Sequence, residues 1–144
     1  MDSLFTGGLI FGSVTAIIGA LILALIHGFG YQVAGLADHK PGYATRFGIQ
    51  LVTVFVSSAI LYGASMIVTE SGALLGALSS GISGAIILIV GLGVGSYYLG
   101  LTIVTFLILA TKQQFGVAAR AAVLPSLVLL AIYLLPIFVG LSAG

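Results

Sequence analysis

The chain has 144 residues, of which 60% are hydrophobic and 5% charged, with four basic and three acidic side chains and a formal net charge of +1. A soluble domain carries about 25% charged residues; with so few, and a mean hydropathy of +1.34, this chain has to use lipid as its solvent. There is no basic patch with interleaved aromatics, which excludes nucleic acid as a partner, and the lack of cysteine excludes disulfides, thiolate metal sites and lipidation on cysteine.

A helix needs about 20 apolar residues to cross the hydrocarbon core, and Leu4 to His27 is the first such stretch. It lacks a positive leader, and its apolar run is longer than the roughly 7–15 residues of a signal peptide, so it reads as a retained span. It carries a ladder of small residues at four-residue spacing: Gly8, Gly12, Ala16, Ala20, Ala24 and Gly28. That spacing places them on one helix stripe, where small side chains let a second helix approach closely. The ladder serves either packing inside one bundle or contact with another protein.

The segment HGFGYQVAGLADHKPGYATRF (27–47) follows, holding both histidines and three of the seven charged residues. Pro41–Gly42 bends it, and it reads as a polar connection. Phe47 to Val68 is the second span. Between Glu70 and Lys112 lie 41 uncharged residues, enough for one long span or two short ones. The stretch 70–84 (ESGALLGALSSGISG) is rich in glycine and serine and reads as an external loop or shallow turn, leaving 85–111 as the third span. Small residues recur there too, at Gly72, Gly76, Ser80 and Gly84 and at Gly91 with Gly95. A second basic connection precedes the last span, 121–141, in which Pro125 and Pro136 each remove a backbone hydrogen bond.

Lys40 and Arg46 stand in one connection, Lys112 and Arg120 in the other. The positive-inside rule places both in the cytoplasm, so an even number of crossings separates them. The expectation is an all-α, polytopic transmembrane bundle of four spans, with both termini outside. The alternative has five spans, with 72–91 and 95–111 crossing separately.

Chemistry-bearing residues are few. His27 is the one candidate ligand for a buried haem or pigment, but His39, twelve residues on, shares no helix face with it, and an interfacial, hydrogen-bonded histidine is the simpler reading. No ionisable residue lies in the middle of a predicted span, where ion and proton carriers keep one. A proteolipid rotor ring is therefore excluded, its mid-membrane carboxylate having no counterpart. Gln50, expected near the interface, and Tyr97 with Tyr98, expected mid-span and able to hydrogen-bond across the bundle, form a candidate polar path. With only Asp2, Asp38 and Glu70 as acids, and neither G-x-S-x-G nor H-E-x-x-H present, catalysis has little to stand on. No cofactor or metal is expected.

Two stretches taken together carry a resemblance. HGFGYQVAGLADHKPGYATRFGIQLVTVFVSSAILYG has a helix ending in histidine, a glycine-containing turn, then an aromatic and an arginine leading into a span. LGLTIVTFLILATKQQFGVAARAAVLPSLVLLAIYLLP has a span, a short polar turn, a basic residue before alanines and a proline-bearing last helix. This order, over about residues 22–141, resembles the Yip family, membrane proteins named for binding Ypt/Rab GTPases, with relatives in bacteria and archaea. The resemblance implies five spans, the N-terminus cytoplasmic and the C-terminus outside. This chain would be a version lacking the first span, consistent with both termini outside. Eukaryotic members carry a long cytoplasmic N-terminal region that Met1 to Leu4 cannot replace, so Rab binding is not carried over. What it implies is a compact bundle that shapes, scaffolds or assembles within a membrane.

The leading expectation is a non-catalytic membrane protein working through helix contacts, an accessory subunit or self-assembling scaffold. Its partners would be membrane lipids and other transmembrane helices, from a second copy or a larger complex. A small transporter or channel is the alternative, and a haem- or pigment-binding subunit using His27 the third.

Overall fold

The computed structural model describes residues 2–109 and 113–143. Its elements are helical: α1 (Asp2–Val33), a 3-10 turn (Ala37–His39), α2 (Tyr43–Glu70), the short α3 (Ala73–Ser79), α4 (Ile82–Ile108), the short α5 (Phe115–Ala121) and α6 (Val123–Ala143). Four helical stretches are long and apolar enough to cross a membrane, the fourth running Phe115–Gly140 through α5 and α6. Four spans, not five, is the architecture. The 70–84 stretch holds α3 between two glycines in the left-handed region, Gly72 (φ 77°) and Gly81 (φ 97°). Seven residues at 1.5 Å rise are far too short to cross.

Successive long helices run antiparallel and close a ring. α2 packs on α1 and α4, and α6 on α4 and α1. The two basic connections share one end, here called the loop end; both chain ends and α3 belong to the opposite end.

The helices run further than the hydropathy pattern placed them. α1 continues past His27 to Val33 and stops in a Schellman motif: Gly35 adopts φ 75° and donates to Gln32 O (3.1 Å), and Leu36 N–H donates to Tyr31 O (2.7 Å). Leu36 packs on Tyr31 and Ala121, the apolar contact this motif favours. Gly28 and Gly30 lie inside the helix because of what comes close to them, not because the chain turns there. α2 begins at Tyr43, directly after Pro41–Gly42, so Arg46 lies in a helix rather than in the connection.

Pro125 sits in the first turn of α6, and only Pro136 is interior. Without an N–H, Pro125 cannot bond Ala121 O, and the helix breaks at Ala122. The Ala121 carbonyl turns toward Gly30, where an added Cβ would meet it at 2.6 Å and Pro125 Cδ at 3.2 Å.

Burial is lopsided. Ala20, Ala24, Tyr31, Ile49, Leu101, Ala118, Ala121 and Ala122 are each at most 1% exposed, and all lie toward the loop end. From Asp2 to Thr15 every residue is exposed. Of the α1 ladder, Ala20, Ala24 and Gly28 are buried, Ala16 is half-buried, and Gly8 and Gly12 are exposed. The expected ladder therefore packs only over its second half. Gly76 and Gly91 are exposed as well, so the later small-residue series builds no continuous seam.

Gly30→Ala should lower unfolding stability in detergent by about 1–3 kcal/mol, the usual cost of overpacking against a fixed backbone. Gly12→Ala, with nothing within 4 Å of the new Cβ, should leave it unchanged, as followed by denaturant titration.

Candidate functional site

The polar side chains concentrate in the closed half of the bundle. Arg46, on the first turn of α2 and 7% exposed, reaches across to α1. Its Nε donates to Ala24 O (2.9 Å) and one Nη to Pro41 O (2.6 Å). The guanidinium lies flat over Gly28, where an added Cβ would stand 2.9 Å from Cζ. One turn earlier, Tyr43 donates to Leu21 O (2.9 Å), and its ring centre stands 5.5 Å from the Arg46 charge. Together these side chains bolt α2 to α1.

Gln113 ties the two connections together. Its Oε1 accepts from the buried Tyr31 hydroxyl (2.8 Å), and its Nε2 donates to His39 O (2.6 Å). Arg120 adds a third tie, Nη2 to Ala34 O at 3.0 Å. His39 itself is exposed, and only its carbonyl takes part. Lys112 lies outside the described residues, and Lys40 is exposed at the end of the 3-10 turn.

His27 lies inside the protein. It is fully buried, its ring centre 5.1 Å from that of Tyr31, and neither ring nitrogen has a hydrogen-bond partner among the described residues. The helix continues beyond it by almost two turns, which carries it inward. Gln50, expected to meet headgroups or water, is 1% exposed, about 10 Å along α2 from its first residue, Tyr43. Its Oε1 accepts from Tyr97 (2.8 Å), and Tyr98 donates to Ala119 O (3.1 Å). Tyr97 thus joins α4 to α2, and Tyr98 joins α4 to α5.

Along α2 and α4, four buried polar atoms have no partner among the described residues: Gln50 Nε2, Ser57 Oγ, Thr102 Oγ1 and Thr105 Oγ1. Thr53 instead donates to Ile49 O within its own helix (2.6 Å). Ser57 packs against α4, its backbone N 3.2 Å from where a Gly100 Cβ would be.

The sequence reading missed Gln113, Tyr31, Thr53, Thr102, Thr105 and the Gly30 contact. Thr102 and Thr105 offered a signal, a pair three residues apart and so on one helix face. Gln113 offered none, because its partners lie 82 and 74 residues away.

No protein-family model, curated protein or solved structure matches this chain. The site therefore has to be read from its own geometry. His27 stands beside the Tyr31 ring and Arg46 beside backbone carbonyls and the Tyr43 ring, and the carboxylates are dispersed: Asp38 belongs to the loop end, Asp2 and Glu70 to the opposite end. The arrangement fixes helices to one another and holds a polar seam inside an apolar bundle.

A double-mutant cycle on Tyr97→Phe and Gln50→Leu should return a coupling of about 0.6–1.7 kcal/mol, the range for hydrogen bonds between membrane helices. Additive effects would show that the two side chains do not stabilise one another.

Proposed function

We propose that this chain is a non-catalytic integral membrane protein that works through helix contacts, as an accessory subunit or a self-assembling scaffold. One observation carries the reading. The small-residue ladder that packs inside the bundle at Ala20, Ala24 and Gly28 continues outward onto the exposed part of α1. There Gly8, Gly12, Ser13 and Ala16 face Leu51, Val54 and Phe55 of α2 across a lateral crevice of about 500 Å³. Small side chains recur along the α1 wall, flanked by Leu9 and Ile17, and leave room for the ridge of an entering helix, which gains close van der Waals contact there. The partner is a transmembrane helix, from a second copy or from a larger complex. The resemblance to the Yip family points to the same class, a bundle that assembles within a membrane. Under the positive-inside rule, the loop end with Lys40, Arg46 and Arg120 faces the cytoplasm and both termini face outward.

Replacing Gly12 and Ala16 together by leucine should shift the species extracted in mild detergent toward the monomer while leaving membrane insertion intact, as read by native mass measurement and carbonate extraction. Unchanged assembly would remove this surface from the proposal.

A second reading, a small transporter, draws on the unpartnered Gln50 Nε2, Ser57, Thr102 and Thr105. Buried polar groups in lipid are costly unless satisfied, and a conducted solute or water file would satisfy them. Solute flux into vesicles that falls on Tyr98→Phe would favour this reading; a tight, inert vesicle would leave the scaffold standing.

A further inference from the structure

All four basic residues belong by sequence to the two connections or their flanks, and the three described ones share the loop end with a single carboxylate, Asp38. One opening at this end joins a cation to an apolar wall. It is a crevice of about 260 Å³ between the end of α1 and the start of α6, lined by Gly30, Val33, Ala34, Arg120, Val123 and Leu124. Its wall is hydrocarbon except at Arg120.

Arg120 is exposed, and among the described residues its one hydrogen bond, to Ala34 O, pins the guanidinium at the crevice. A guanidinium has five N–H donors in a planar fork, so this bond leaves an edge able to take a phosphate with two parallel bonds. The pin is short and local: Ala34 follows directly on the last residue of α1, and its carbonyl is among those a helix terminus leaves unbonded. The cation is thereby pre-positioned without being neutralised.

We propose that this crevice binds one anionic phospholipid, with its phosphate on Arg120 and an acyl chain lying along Val33, Val123 and Leu124. The charge at this end selects the headgroup. A zwitterionic lipid such as phosphatidylcholine brings an ammonium into a region where basic side chains outnumber acidic ones, whereas phosphatidylglycerol brings a net negative charge and no ammonium. Basic pockets between helices at this level of a membrane suit anionic headgroups for the same reason. The site is distinct from the α1–α2 crevice, which has no charged side chain in its lining, and does not depend on assembly.

The chain has no tryptophan, so single-tryptophan probes are unambiguous. Val33→Trp would report on the crevice and Phe5→Trp on the opposite end. Each is reconstituted in mixed phosphatidylcholine and phosphatidylglycerol vesicles, with brominated acyl chains on one lipid or the other. Quenching of the Val33→Trp probe should show phosphatidylglycerol favoured about five-fold, the ratio for one basic side chain at a membrane surface. Adding Arg120→Gln should bring the ratio close to one, while Lys40→Gln should retain most of it. The Phe5→Trp probe should show no preference. Equal quenching by the two lipids at Val33→Trp would overturn the proposal. So would equal losses from Arg120→Gln and Lys40→Gln, which would mean diffuse surface attraction, or the same preference at both ends of the molecule.

Discussion

Two helices in lipid gain nothing by hiding apolar side chains from a solvent that is itself apolar, so they hold together only where their surfaces come very close or share hydrogen bonds. The places where this chain meets that requirement explain its shape. Gly28 accepts the flat face of Arg46, Gly30 accepts the Ala121 carbonyl and the Pro125 ring, and Gly100 accepts the backbone at Ser57. Each is a glycine because the nearest atom of the other segment stands where a side chain would begin. All three lie in the half of the bundle that is closed. Where α1 presents Phe5, Ile10 and Phe11, those side chains remain exposed.

The same constraint governs polar groups. A backbone carbonyl freed in hydrocarbon costs several kcal/mol, in order of magnitude, and the loop end answers with side chains. Arg46 takes Pro41 O, Gln113 takes His39 O, and Arg120 takes Ala34 O. The Schellman turn at Gly35 satisfies the end of α1 from within. Charged and amide side chains thus finish the helices and orient the bundle at once, and this explains why so much of the chain's scarce polarity is gathered in two short connections.

Much of the architecture could be read directly. Composition required lipid, four apolar stretches stood out, and the glycine–serine segment after Glu70 marked itself as non-spanning. Helix ends were harder, because glycines signal both turns and close contacts. Gly28 and Gly30 invited a turn at His27, whereas the left-handed glycine that ends α1 is Gly35. That shift, with the matching early start of α2 at Tyr43, is why His27 turned out buried and Arg46 helical. The four-residue ladder was visible, but periodicity states only that residues share a stripe; what covers the stripe depends on where α2 leans away. The Tyr31–Gln113 and Tyr97–Gln50 bonds join residues 82 and 47 positions apart, and no local pattern encodes such pairings.

The Gln113 clasp has a consequence for the order of synthesis. Its two partners, Tyr31 and His39, leave the ribosome more than 70 residues before Gln113 itself. The α1–α2 hairpin therefore holds its register without that clasp when it first forms, on its own packing and on the Arg46 and Tyr43 contacts. The third span joins before the clasp exists, and the loop end locks only when the last connection emerges. Early events rest on bonds between neighbours in sequence, and the final step fastens the first connection to the last.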